Sequence, residues 1–220
     1  MTSAPPVVAP PAASIQEHLG RAVDDLLNWL PPVEQFSAAE RRGIIARYSA
    51  VLEGNFIYWM TGAYLSVRSD EARSIILDNL HEEVRDCHPG MLRKFAMAAQ
   101  AVPTDADALA IYRNLSDVRL FVGRLTPVPM VVMMAFFEGF IQRFMPYLAE
   151  LAKRQGSAEQ EYTDVHGVCD VTHTQELYRA LEAEMALATD GESANLFEGV
   201  DLLQALIRKV ITGSPTWIHP

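Results

Sequence analysis

Between Met130 and Met145 the chain reads MVVMMAFFEGFIQRFM, apolar on nearly every face of a helix and carrying a single acid, Glu138. A helix that is hydrophobic all round needs other elements around it. The lone carboxylate tightens the constraint, because burying it is costly unless it is paired, protonated or bound to a metal. The most apolar run, Val128 to Phe137, is well short of the ~20 residues that cross a bilayer. The segment is therefore expected as a helix of a bundle, with Glu138 turned toward Arg143, toward another basic group, or toward an ion.

The rest of the chain supplies the surrounding helices. Ile15 to Leu30 carries Leu19, Val23, Leu26, Leu27 and Leu30 on one stripe and stops at Pro31-Pro32. Ser37 and Glu40 form a capping box that opens a helix expected to run to about Ser66. Further helices are expected over Ser69–Arg85, Pro89–Val102, Asp105–Phe121, Pro129–Arg154, Asp164–Ala188 and Ala194–Thr212, with a break or bend at His88-Pro89. Strand signals are weak throughout. The expectation is an all-α bundle of about seven or eight helices, one domain over residues 15–215, behind a mobile Pro- and Ala-rich tail over residues 1–14.

Composition narrows the partners. Half of the 220 residues are hydrophobic, enough for a sizeable core, and the formal net charge of −10 argues against nucleic acid or an anionic membrane surface. Cys87 and Cys169 are the only cysteines, so a disulfide framework is excluded and a reducing cytoplasm is the expected compartment. The first residues have neither the basic region nor the apolar core of a secretory signal.

The sharpest local signal is His166-Gly-Val-Cys-Asp170-Val-Thr-His173. Spacings of four and then three return to one helix face, stacking two imidazoles and a carboxylate in a column. That ligand mixture suits iron or manganese, and also zinc. Glu138 and Glu53 are isolated acids in otherwise apolar helical segments. Bundles that hold two metals do so with inward acids and histidines from several helices. A fourth contribution lies in DNLHEEVRDCHPGML, residues 78–92, where His88 stands at the bend before Pro89. His81 shares a face with His88 on a straight helix, whereas Glu82 joins that face only through a local distortion.

The order of these features resembles the haem-oxygenase-like di-iron oxidases and oxygenases, relatives of thiaminase II and PQQ synthase. An acid in an early helix is followed by acids before a His-Pro, a glutamate in an apolar helix, and then H-x3-D-x2-H. The resemblance covers about residues 40–185. It implies a haem-oxygenase-like bundle of about seven helices holding two ferrous ions, with Glu53, Glu82, His88, Glu138, His166, Asp170 and His173 as ligands. One iron site in this family is commonly labile, and here Glu82, Glu83 and His81 all remain open as the residue that completes it. O2 is the implied co-substrate, with an external electron donor, a small-molecule substrate and a homodimeric state as the implied partners. Reactions in the family include N-oxygenation of amines, oxidative cleavage of carbon bonds, and nitrile or alkene formation. An amino acid or related amine in a biosynthetic pathway is the expected substrate; a fatty acid, or a metal-free thiaminase- or PQQ-synthase-like reaction, is the alternative.

Phe56, Trp59, Met60, Met134 and Phe137 flank the expected ligands and are candidates to line a dry substrate pocket. Most apolar residues at helical spacing simply pack. Arg113, Arg119, Arg124 and Arg143 are candidate counter-ions for a substrate carboxylate. Ligating histidines need partners for their second nitrogens, for which Asp164, Asp86 and the tyrosines are candidates. A hydrolase would need an activated cysteine, and neither Cys87 nor Cys169 has an evident activating neighbour.

Overall fold

A computed structural model of the chain describes residues 11–188 and 195–213. The described residues form nine helices and no strand: α1 (Ala12–Trp29), α2 (Ala38–Leu52), α3 (Asn55–Ser66), α4 (Asp70–Arg85), α5 (His88–Ala98), α6 (Asp105–Val122), α7 (Pro127–Arg154), α8 (Glu161–Met185) and α9 (Glu198–Thr212). A 3-10 turn at Val33–Gln35 links α1 to α2. The fold is the expected all-α bundle. Residues 1–10 of the expected tail, and the expected helix start at Ala194, lie outside the described residues, as does the side chain of Cys169. Helix α1 already begins at Ala12, inside the stretch expected to be tail.

Local chemistry accounts for most of the boundaries. The Ser37–Glu40 capping box opens α2, and a second one, Thr104 with Asp107, opens α6. Ser69 accepts from the Ala72 amide at the start of α4. The one long helix expected from Ser37 to Ser66 is two helices instead. Gly54 adopts φ +83°, a left-handed conformation that glycine takes without the Cβ penalty, and α2 stops there. The break is stabilised by Asn55, whose amide donates to the Val51 carbonyl at 2.6 Å.

Helix α7 is the centre of the bundle. It is long and apolar enough to cross a membrane, but 83% of its most apolar window is buried inside the fold. Its closest partner is α8, with α1, α9, α3 and α2 around the remaining faces. Close approach is required at Gly199, where a Cβ would lie 2.7 Å from the Phe121 ring and 2.9 Å from Met133. This arrangement brings Glu138 of α7 opposite the histidine face of α8, with α4 and α5 closing the third side.

Candidate metal centre

Helix α8 runs without interruption through His166, Asp170 and His173, so the column read from the spacing is realised. All three side chains are buried. Glu138, Asp170 and His173 bring one ligand atom each within 4.8 Å of one another, and so do Glu83, His88 and His166. These are two buried triads, one with one histidine and two carboxylates, the other with two histidines and one carboxylate.

His88 reaches the second triad because α4 ends at Arg85 and Cys87 takes φ +57° before α5 begins. This break turns His88 back against the end of α4. Its Nδ1 lies 2.7 Å from Glu83 Oε1, a pairing at five residues that a straight helix would not allow. Glu83 Oε1 also lies 4.0 Å from His166 Nε2, and the two imidazole rings meet at 4.5 Å.

The second nitrogens of the histidines set the tautomers. His166 Nδ1 is 2.8 Å from the Tyr162 carbonyl, which can only accept, so Nδ1 carries the proton and Nε2 presents its lone pair to the triad. His173 Nε2 lies 3.0 Å from Glu82 Oε2. With Nε2–H donating to Glu82, His173 Nδ1 faces Glu138 Oε2 at 3.9 Å and Asp170 Oδ1 at 3.8 Å. Those separations are too long for hydrogen bonds, and this buried nitrogen has no hydrogen-bond partner. An acceptor lone pair facing two carboxylates across a gap is what a cation between them would satisfy.

Electrostatics point the same way. Burial pushes Glu138 up to about 7; His173 pulls it down, Glu83 pushes it further up, and the Asn79 amide at 3.3 Å stabilises the charge. Burial lowers His166 to about 4, with Glu83 and the Tyr162 carbonyl opposing, so it is neutral near pH 7 and available as a ligand. His88 is disfavoured as a cation by burial, but the Glu83 hydrogen bond and charge outweigh this and raise it. Among the described residues, no Lys or Arg lines the cavity where the triads meet. Nitrogen and oxygen donors in these sets suit iron, and two histidines with one carboxylate is the donor set of non-haem Fe(II) oxygenases.

Several expected residues sit elsewhere. Glu53 is at the surface at the end of α2, in an ion pair with Arg93, because the break at Gly54 directs it away from the bundle interior. Glu82 is partly exposed and contacts the outer nitrogen of His173, leaving Glu83 as the acid of the triad. His81 is exposed. Asp86 pairs with Arg85 at the surface, and Asp164 is exposed, so the Tyr162 carbonyl and Glu82 are the histidine partners instead. Arg119, Arg124 and Arg143 bond Asn55, Glu198 and Asp24, and Arg113 is exposed.

The cavity beside the triads has a volume of about 30 Å³, room for an ion or one to two waters rather than a large ligand. Phe56 and Phe137 line it, together with Leu52, Leu92, Ile141 and Tyr162. Trp59 packs edge-on against Phe137 at 5.3 Å and stands behind the wall. Met60 and Met134 are fully buried core residues outside the lining.

A family model described as an iron-containing redox enzyme matches residues 45–206. No curated protein and no solved structure matches the chain.

Proposed function

The chain belongs to the iron-containing redox enzyme family, and from that premise we propose that it holds two Fe(II) ions, one in each buried triad, and uses O2 to oxidise a small organic substrate. The observation that carries this reading is the unpartnered Nδ1 of His173 facing Glu138 and Asp170, beside a two-histidine, one-carboxylate set. Bound iron would supply the electrons that make O2 reactive, with an external donor completing the supply where the substrate does not. An amino acid or related amine, undergoing N-oxygenation or oxidative carbon-bond cleavage, is the substrate class we assign.

The protein's own part is orientation, charge and exclusion of water. The Tyr162 carbonyl holds the His166 tautomer, and Glu82 holds that of His173. His88 Nδ1 lies 2.7 Å from Glu83 Oε1, and the proton between them would have to leave for the pair to hold a cation. Two divalent ions would more than neutralise Glu83, Glu138 and Asp170. The hydroxyls of Tyr48 and Tyr162 bond each other at 2.9 Å and are held protonated by burial, so they remain hydrogen-bonding groups rather than ligands.

The test is anaerobic loading with ferrous salt followed by metal analysis and O2 uptake with a panel of amines and amino acids. Wild-type protein is expected to retain two irons per chain, and His166→Ala and His173→Ala one each, with substrate-dependent O2 consumption lost in both. Wild-type protein that takes up no iron, or variants that both keep two, would sink the reading. Glu82→Gln is expected to weaken iron at the His173 triad by about 10- to 100-fold, the usual effect of losing a ligand's outer partner. Glu53→Gln is expected to change nothing, and chelator competition measures both.

A further inference from the structure

Asn79 lies on α4, is 2% exposed, and leaves most of its amide unused. Its Nδ2 donates to Glu138 Oε1 at 3.3 Å, past the usual range for an N–H···O bond. Its Oδ1 is buried and has no hydrogen-bond partner among the described residues. An asparagine amide can donate twice and accept twice, so one long bond strands the rest of that capacity away from water. Buried polar groups are paired with few exceptions, and each exception calls for a cause. The neighbours supply one. Asn79, Glu82 and Glu83 stand at spacings of three and four, on one face of α4. Glu83 belongs to one triad, and Glu82 holds the outer nitrogen of His173. Asn79 is what the same face presents to the other triad, whose three members come from α7 and α8 alone. Two buried acceptors without partners, Asn79 Oδ1 and His173 Nδ1, thus both belong to side chains that border the Glu138 carboxylate.

We propose that Asn79 is the fourth protein donor of the Glu138 triad and binds its ion through the amide oxygen. The inference rests on the two-iron reading and adds a ligand to one of its two sites. His173 Nδ1 faces Oε2 of Glu138, and the Asn79 nitrogen bonds Oε1. An amide that donates one N–H to a carboxylate can set its carbonyl beside the second carboxylate oxygen. Two acceptors side by side repel unless a positive group lies between them. An ion held by Oε2, His173 Nδ1 and Asp170 Oδ1 is that group, and the Asn79 nitrogen keeps its bond to Oε1 while the oxygen meets the ion. Asparagine carbonyls are established oxygen ligands of divalent cations. A neutral donor also fits the charge of this triad. Glu138 and Asp170 already supply two negative charges to one divalent ion, and an amide adds a ligand without a third.

The direct test is a crystal structure of the full-length protein grown anaerobically with Fe(II). Asn79 Oδ1 is expected about 2.0–2.3 Å from the ion at the Glu138 triad, the range for oxygen on a divalent ion of this size. Variants give an independent reading in the His166→Ala background, where the ion that remains sits at this triad. Asn79→Asp keeps an oxygen and loses the N–H, whereas Asn79→Leu loses both at similar volume. In chelator competition with Fe(II), Asn79→Asp is expected to bind as tightly as its parent or more tightly. Asn79→Leu is expected to bind more than about a hundredfold more weakly, beyond the upper end of what losing a ligand's outer partner costs. Melting curves of the metal-free proteins check that both variants fold, and the wild-type crystal decides the matter if they do not. An ion seated in the triad with Asn79 Oδ1 beyond ligand distance overturns the assignment. So does equal weakening by aspartate and leucine, the result expected of a simple N–H donor to Glu138. A wild-type triad that holds no ion at all would instead remove the two-iron reading, and this ligand with it.

Discussion

Replacing Glu138 by leucine is expected to raise the melting temperature of the metal-free protein by several degrees while reducing iron-dependent redox activity on the order of a thousandfold. The two effects share one cause. Glu138 is 2% exposed, and burial holds its carboxyl far enough above the ordinary value that the charged form is disfavoured in the empty fold. Replacing buried ionic groups by hydrophobic residues of similar volume is often neutral or stabilising by about 1–4 kcal/mol; the loss set against it here is one long hydrogen bond, from the Asn79 amide at 3.3 Å, and each kcal/mol moves the midpoint about 2–4 °C at this chain length. The same substitution removes a carboxylate from one triad, and a metal's stabilisation of developing charge is worth several kcal/mol, each 1.36 kcal/mol being about tenfold in rate.

Glu184 is the control. It is equally buried, but its Oε1 accepts the backbone amides of Arg68 and Ser69 at 2.8 and 2.6 Å where α4 begins. Glu184→Leu strands those donors and is expected to lower the midpoint, since each unsatisfied buried group costs about 1–3 kcal/mol. Scanning calorimetry of the metal-free proteins separates the two glutamates. A drop in both would mean that Glu138 is a structural residue and not one retained for an ion.

The difference between these two glutamates also marks what was legible in the sequence. A lone acid in the apolar run of α7 and an H-x3-D-x2-H column depend only on helical periodicity, which holds along unbroken helices, so Glu138, His166, Asp170 and His173 are readable, and the structure places Glu138, Asp170 and His173 in one buried triad and His166 in the other. The other triad depends on a break. Cys87 adopts a left-handed conformation that nothing in its side chain announces, and only that turn lets His88 meet Glu83 rather than the straight-helix partner His81. Glu53 lies outside both triads for the mirror-image reason. Gly54 does announce a break, but within a helical pattern a single glycine is tolerated often enough that continuity was the better reading. Once α2 stopped, the inward face assigned to Glu53 no longer existed. Partners from distant segments, such as Tyr162 under Tyr48 or Glu82 behind His173, follow from packing and leave no local signature.

Iron affinity is expected to fall steeply as pH drops from 8 to 6. Metal ligands bind deprotonated, so each proton that must leave costs affinity tenfold for every pH unit below its pKa. Glu138, raised by burial to about 7 from the ordinary glutamate value near 4.5, is ionised at pH 8 and largely protonated at pH 6. The proton shared between His88 and Glu83 must also leave, and His88 is raised above its ordinary value. His166, lowered to about 4, is already neutral across this range and adds nothing to the slope. Each triad therefore holds one titrating group, and the affinity of each site declines about tenfold per unit at the acid end of the range.

The stability of the empty protein runs the other way. A carboxyl raised in the fold favours folding below its unfolded value, and that contribution is lost as pH rises through about 7. His166 contributes above its unfolded value near 6.5, and its share is lost only as pH falls toward about 4. The gap in melting temperature between iron-loaded and empty protein is thus expected to widen from pH 6 to pH 8. Paired anaerobic melts across that range measure it directly. A gap that stays constant or narrows toward pH 8 would mean that iron does not bind through the Glu138 carboxylate, because an ion held there must gain from every proton that carboxylate loses.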